Sequence, residues 1–294
     1  MNSKAFFALA FAAGLAFPAG MLAQDAAPAP RVDFPALSPA STLKQRVGLT
    51  DIEIVYSRPG VKGREIFGGL EAYGKVWRTG ANNATKITFS TPVKFGGTSV
   101  PAGSYALFSI PGPDEWTVIL NKVTGQWGAY TYNATNDLVR VTVKPSKLAE
   151  PVETFTIDIN DIRSQSATLN LIWEKTRVPV PLEFDVAATL VPQIEALMSS
   201  SASKNPQQYF GAATFYFENG LDLQKAKAWI EEATKGARPA FYMVHLKAKI
   251  LAKLGDKAGA KAAAEKSSEL AVAAEGPKSG FVKMNNDLIA SLKE

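Results

Sequence analysis

The hydrophobic periodicity of the sequence changes near residue 187, and this change restricts the chain to two unlike parts. Between about residues 42 and 186, short runs alternate apolar and polar residues and are separated by turn residues. In TDIEIVYS, for example, Ile52, Ile54 and Tyr56 fall on one face, as in a half-buried β-strand. After residue 187, apolar residues recur at helical spacing. The sequence therefore predicts a β-domain followed by an α-helical domain.

The β-part predicts an antiparallel β-sandwich or barrel. Further strand-like runs are KITFS, SYALFSI, EWTVILN, VRVTV, ETFTIDI and ATLNLIWE. SYALFSI and EWTVILN are separated by Pro-Gly-Pro-Asp at residues 111–114, a strong turn signal that predicts a hairpin. No alternation of strand and helix is visible, so a nucleotide-binding parallel sheet is not expected.

The helical part predicts a small tetratricopeptide-like bundle. FENGLDLQKAKAWIEEA and LAKLGDKAGAKAAAEKS align with Ala226 over Ala260, a period of 34 residues, which is the tetratricopeptide period. The second segment has Ser267 where the first has Ala233. A final helix is expected near residues 279–292, and an unrelated helical bundle is the alternative.

The first residues have the order of a secretory signal peptide. In residues 1–23, Lys4 precedes an apolar run that ends in Pro, Gly and small residues. We expect cleavage after Ala23; an uncleaved membrane anchor is the alternative. The expected product is an exported protein, periplasmic or extracellular, with no stable membrane insertion.

The predicted boundaries follow these changes in composition. They are a signal peptide (1–23), an extended N-terminal segment (24–40), a β-sandwich domain (41–186), a linker (187–206) and a helical repeat-like domain (207–294). Within the linker, residues 199–203 are the most Ser-rich and are the expected site of proteolysis.

Composition excludes several classes of function. The chain has no cysteine, which rules out disulfides, thiolate metal sites and a cysteine nucleophile. Its single histidine, His245, lies in helical sequence and is expected to pack. The net charge of +5 reflects a slight lysine excess that is spread through the tail rather than gathered in a stripe, so nucleic-acid binding is not expected. We also expect no metal and no cofactor.

The richest candidate site is the glycine-containing stretch from residue 57 to residue 85. Its candidate ligand-binding residues are Arg58, Lys62, Arg64, Trp77, Arg78, Asn82 and Asn83. Arginine forks, asparagine amides and an indole face together suit a carbohydrate or a small anion. The alternative is structural, with the arginines paired internally. Arg58 and Lys62, in the glycine-rich loop, are the stronger ligand candidates, and Arg78 the stronger structural one.

Aromatic residues and carboxylates supply two further sets of candidates. In GQWGAYTYN, Trp127 and Tyr130 are typical of an exposed carbohydrate platform, whereas Trp116 and Trp173 are expected in the core. A glycosidase would need two carboxylates at a defined separation. The available carboxylates are Glu65, Asp114, Glu115, Glu153, Asp158, Asp161 and Glu174.

Long motifs in residues 38–186 carry a family resemblance. They are SPAST, IVYSRPGVKGREIFGGL, YGKVWRTGANNATKITFS, VPAGSYALFSIPG, EWTVILNK and WGAYTYN. The sequence closely resembles domain-of-unknown-function family 2911, found in secreted bacterial proteins. The resemblance implies a β-rich extracytoplasmic domain, sometimes followed by helical repeats, and it supplies no catalytic residues.

These features favour a non-catalytic ligand-binding or protein-interaction module of the cell envelope. The β-domain would take a small anionic or carbohydrate ligand, and the helical tail a peptide or protein partner. One alternative is a carboxylate-dependent hydrolase acting on carbohydrate, and another is a purely structural envelope component. Catalysis is the less favoured reading because no recognisable catalytic motif is present.

Overall fold

A computed structural model describes residues 34–292, in which ten strands precede six α-helices. The strands are β1 (Ala40–Val47), β2 (Thr50–Ser57), β3 (Thr85–Phe89), β4 (Val93–Phe95), β5 (Thr98–Val100), β6 (Gly103–Ile110), β7 (Trp116–Asn121), β8 (Asp137–Val143), β9 (Ser146–Asn160) and β10 (Ser166–Glu183). They form two open antiparallel sheets, in the orders β1-β2-β3-β6-β7-β8 and β5-β4-β10-β9. The predicted β-then-α order is confirmed, and of the two predicted architectures the sheets match the sandwich rather than the closed barrel.

The core lies between the two sheets and follows from the alternation in the sequence. Ile52 and Ile54 of β2 and Leu169 of β10 are buried in it. Trp116 and Trp173 are also buried there, as predicted. Each large apolar side chain removed from water stabilises the fold by about 1.5–3 kcal/mol.

The predicted hairpin at residues 111–114 is confirmed, since β6 and β7 pair in antiparallel register across it. The second sheet shows more than the sequence predicted. β10 continues to Glu183 through Pro179 and Pro181, where its pairing with β9 has already ended at Arg177. Beyond that point β10 pairs with β4 at Leu182 and Glu183, and the carbonyl of Pro181 accepts from the N–H of Gly96 (2.9 Å). Proline lacks only the backbone donor, so it is tolerated between the two paired stretches.

The helices are α1 (Val186–Ser199), α2 (Pro206–Glu218), α3 (Leu223–Ala233), α4 (Phe241–Lys253), α5 (Lys257–Glu275) and α6 (Gly280–Ser291). The predicted linker 187–206 is corrected by this result, because α1 occupies most of it. Asp185 caps α1 by accepting a hydrogen bond from the backbone N–H of Ala188 (2.8 Å). Val191 and Ile194 then pack against the core of the tail, so α1 is an integral part of the helical domain.

The repeat-like alignment in the tail has a structural counterpart. Ala226 of α3 and Ala260 of α5 are both completely buried. Ser267 is also buried; its hydroxyl donates to the carbonyl of Phe241 (2.8 Å) and accepts from Asn285 Nδ2 (3.0 Å). Asn285 Oδ1 in turn lies 2.7 Å from His245 Nδ1, and His245 is 8% exposed. His245 therefore packs inside the tail, in a hydrogen-bonded chain that holds α6.

The predicted signal peptide and most of the extended N-terminal segment lie outside the described residues. Across residues 34–292, no helix combines the length and the apolar character that crossing a membrane requires.

Candidate functional site

Arg58 joins the two sheets through its guanidinium group. Its Nε donates to the carbonyl of Phe155 (3.0 Å) and one terminal nitrogen donates to Thr156 Oγ1 (2.7 Å). Both acceptors belong to β9. Two of the three guanidinium nitrogens of Arg58 are thus bonded within the protein, which departs from the expectation that this group would contact a ligand.

Arg64 and Lys62 shape the loop in which they lie. Arg64 donates from Nε to the carbonyl of Val61 (3.0 Å) and from a terminal nitrogen to the carbonyl of Gly60 (2.6 Å). Lys62 has φ +50° and donates its backbone N–H to Glu153 Oε1 (2.9 Å). The exposed ammonium group of Lys62 has no ion-pair partner among residues 34–292. The Lys62 ammonium group makes no internal contact of this kind within that range, whereas the Arg64 guanidinium group, although exposed, is bonded to its own loop.

Trp77, a predicted ligand-binding residue, lies in the core and is corrected here. It is 2% exposed, its Nε1–H donates to the carbonyl of Gly80 (3.0 Å), and its ring stacks on Trp173 at 5.8 Å between centroids. The backbone of Trp77 pairs with that of Ser109 in β6. This pairing turns the side chain of Trp77 toward the core. It therefore has no surface available to a ligand.

Arg78 differs from the other arginines because its buried Nε has no hydrogen-bond partner within residues 34–292. The next residue, Thr79, is buried with φ +52°, a strained conformation for a β-branched residue. The strain is held by Thr85 Oγ1, which donates to the carbonyl of Thr79 (2.5 Å). The turn thus fixes Arg78 while leaving its guanidinium group incompletely satisfied.

Glu71 is a candidate that sequence reasoning missed. Burial raises the pKa of its carboxyl group to about 7, although the charges of Arg78 and Arg64 oppose this rise. Its carboxyl group makes no hydrogen bond in the described part of the chain. A carboxyl group with this pKa is partly protonated near neutral pH, so it can donate or accept a proton. The sequence of a glycine-rich loop does not show whether a glutamate in it will be buried.

The most exposed feature of the β-domain is a pair of stacked rings, Trp127 and Tyr130, here called the aromatic platform. Trp127 is 64% exposed and Tyr130 is 78% exposed. Their rings lie nearly parallel, at 17°, with centroids 5.7 Å apart. Each ring packs one face against the other ring and leaves its outer face exposed to solvent. The structure thus places both predicted aromatic residues at one surface.

Buried amides anchor the loop that carries the aromatic platform, residues 122–136 between β7 and β8. Asn121, fully buried, donates to the carbonyl of Asn133 (3.2 Å) and to Asp137 Oδ1 (2.8 Å). Gln126, 5% exposed, donates to the carbonyl of Val123 (2.8 Å) and to Asn121 Oδ1 (3.2 Å). Such satisfied buried groups make the loop rigid.

A second anchor holds the far side of the same loop. Tyr132 donates its hydroxyl to Asp137 Oδ2 (2.6 Å), and Arg140 donates to both of these residues (2.7 Å each). Burial, together with the Asp137 hydrogen bond, raises the pKa of Tyr132 to about 12. The phenol therefore stays protonated and bonded at physiological pH. Its ring packs edge-on against Phe108, which seats the loop on the outer face of the first sheet.

Gly128 sets the position of the Tyr130 ring. It has φ +68°, and a Cβ atom there would lie 2.6 Å and 2.7 Å from two carbons of that ring. Only glycine combines this backbone conformation with such a close approach. The platform therefore depends on a residue with no side chain.

The predicted asparagines border the platform through backbone pairing. Gly128 donates its N–H to the carbonyl of Asn82 (2.9 Å), and Asn83 forms a bridge with Trp127. Asn82 has φ +59° and points its amide toward Ser57 Oγ (3.3 Å). The side chain of Asn83 is exposed and makes no hydrogen bond within residues 34–292. Two loops distant in sequence thus present two rings and a free amide together.

Several candidate carboxylates have internal partners. Glu153 accepts from Lys62, Asp158 accepts from Asn170 Nδ2 (2.7 Å), and Asp161 lies 3.7 Å from Arg177. Within residues 34–292, no group of three or more metal-ligating side chains converges.

The fold and these surfaces define a β-sandwich domain with a helical tail and a preformed, exposed aromatic surface. Residues 38–182 match the model of a family described as a protein of unknown function (DUF2911). The family resemblance in the sequence motifs is thereby confirmed. No curated protein matches the chain, and no solved structure does.

Proposed function

We infer that the protein is an exported, non-catalytic ligand-binding module whose β-domain binds a carbohydrate on the aromatic platform. The observation that carries this proposal is the exposure of Trp127 and Tyr130 on a rigidly anchored loop. Rigid aromatic side chains offer a large contact area at a low cost in conformational entropy. A sugar ring has an apolar face of C–H groups that packs on the outer face of either ring.

The polar surroundings complete the recognition of a polyhydroxyl ligand. The free amide of Asn83 provides donors and an acceptor, which suits hydroxyl groups that themselves both donate and accept. The two rings and this amide are held by backbone bonds between loops, so little ordering is needed when a ligand binds.

The binding test is a titration of the mature protein with chitohexaose and with maltohexaose, together with sedimentation on purified peptidoglycan. We expect at least one of these glycans to bind, and Trp127→Ala and Tyr130→Ala each to weaken that binding by about tenfold or more. Tyr73→Ala is the matched control, because Tyr73 is an exposed aromatic residue (45%) outside the platform. No binding to any of the three glycans, or equal losses in the control, would refute the proposal.

Export is tested separately, because it rests on the N-terminal sequence alone. The order of charge, apolar run and small residues in residues 1–23 supports cleavage by signal peptidase. Mass spectrometry of the fractionated cell should find a mature protein that begins at Gln24. A full-length product retained in the membrane would contradict this part of the proposal.

Glu71 supports the hydrolase as a second candidate function. A carboxyl group with a pKa of about 7 is suited to protonate the leaving oxygen of a glycosidic bond. If the protein is such an enzyme, chitohexaose or maltohexaose should be shortened, and Glu71→Gln should abolish this turnover while Glu65→Gln, the control in the same loop, retains it. Absence of turnover together with absence of binding would leave the purely structural role.

A further inference from the structure

Several lysines of the tail have an acidic partner about one turn away. The ion pairs are Lys227–Glu231, Lys235–Glu232, Lys261–Glu265, Lys266–Glu269 and Lys283–Asp287. Lys247 has no ion-pair partner among the described residues, and neither do Lys249, Lys253 and Lys257. The last three follow one another at intervals of four residues, across the end of α4 and the start of α5. Positive charge is therefore left unbalanced along one line.

These three lysines line a groove of about 410 Å³ that is bordered by α2, α4, α6 and the first residue of α5. Phe217 of α2, Leu288 of α6 and Leu292, which directly follows α6, give the groove an apolar floor, and all three are half-buried. The remaining lining residues are Ala252 and Ser291. Among residues 34–292, no acidic side chain lines the groove, so the charge of its described lining is positive and its base is apolar.

The residues that line the groove favour an acidic chain with aliphatic groups over a nucleic acid. The Lys249 ammonium lies 5.0 Å from the centroid of the Phe217 ring, so the aromatic face is already covered by a cation. A nucleic acid would need that face for base stacking, whereas an aliphatic side chain can use the two leucines. A chain that carries both carboxylates and an aliphatic group meets both parts of the groove.

We propose that this groove binds an acidic peptide segment that carries aliphatic side chains. The carboxylates pair with Lys249, Lys253 and Lys257, and an aliphatic side chain packs on Leu288 and Leu292. Three like charges around one groove repel one another, and a bound carboxylate chain relieves this repulsion. The site lies on the tail and is independent of the carbohydrate platform of the β-domain.

The test uses the mature full chain and a fluorescein-labelled ten-residue peptide of Glu-Glu-Leu repeats, followed by fluorescence anisotropy. Since each exposed charge pair contributes little alone, the three lysines are replaced together by alanine. We expect this triple variant to bind the peptide at least about tenfold more weakly than the parent protein does. The matched control replaces Lys227, Lys261 and Lys266 by alanine, which removes the same charge from the same tail, and it should retain affinity within about twofold.

Two further probes separate a specific groove from a general basic patch. A Glu-Glu-Ser peptide should bind more weakly than the Glu-Glu-Leu peptide, because it lacks the group that packs on the leucines. A ten-residue oligothymidylate should also bind more weakly. Equal binding of either probe, or equal losses in the two triple variants, would overturn the proposal. Self-association of the unliganded protein in sedimentation experiments, if the triple lysine variant loses it, would also overturn the proposal. The occupant of the groove would then be a second copy of the chain.

Discussion

Gly128 is the position at which one added methyl group would separate the two rings of the aromatic platform. In Gly128→Ala the new Cβ would lie 2.6 Å from a carbon of the Tyr130 ring, which is closer than real Cβ contacts. Tyr130 is 78% exposed, so its ring can swing outward and relieve the clash. The expected result is a folded protein in which Tyr130 no longer stacks on Trp127.

The expected cost in stability comes mainly from the backbone. An alanine at φ +68° occupies the left-handed region, which costs about 1–2 kcal/mol relative to glycine. Urea denaturation should therefore show a decrease of about 1–2 kcal/mol in the free energy of unfolding. Carbohydrate affinity should fall about as far as in Tyr130→Ala, although both aromatic side chains are still present.

Gly125→Ala is the matched control in the same loop. Gly125 lacks a left-handed φ, and a Cβ there would meet no atom within 4 Å. We expect its stability to stay within about 0.5 kcal/mol of the parent protein. Proton NMR should show loss of the ring-current shift of Tyr130 only in Gly128→Ala. If the two variants lose equal stability and both keep the stacked rings, the role assigned to Gly128 is wrong.

Three further predictions concern the rest of the molecule. Asn285→Ala should lower the free energy of unfolding by about 2–4 kcal/mol, because His245 and Ser267 each lose a buried hydrogen-bond partner. The exposed neighbour Asn286 should tolerate alanine, and equal urea midpoints for the two variants would contradict this prediction. Because the folded-state pKa of Glu71 is raised to about 7, its stabilising contribution is present below about pH 4.5 and is lost as the pH rises through 7. Glu71→Gln should therefore gain about 1–2 kcal/mol over the parent between pH 5 and pH 8, after allowance for solvent screening, and parallel stability curves would count against a buried carboxyl group. Arg58→Ala should cost about 1.5–3 kcal/mol, while Lys62→Ala should be nearly neutral in thermal melts; the reverse order would restore Arg58 as a ligand candidate.

Local sequence patterns predicted the architecture of this chain. Alternation in segments such as TDIEIVYS and the Pro-Gly turn at residues 111–114 depend only on near neighbours, so they predicted strands and a hairpin that the structure contains. The helical spacing after residue 187 predicted the tail, although the Ser-rich end of α1 concealed the helix before it. The exposed aromatic pair was predicted for a similar reason, since glycines surround Trp127.

The roles of the polar residues were decided only by tertiary structure. Arg58 meets acceptors that lie 97 and 98 positions later in the chain, and no local pattern specifies such a contact. Conversely, Arg78 was expected to pair internally, and its buried Nε has no partner in the described chain. Glu71 has its raised pKa because the folded loop partly removes it from water. Periodicity determines which face of an element is buried, whereas hydrogen bonding and desolvation depend on which elements the fold brings together.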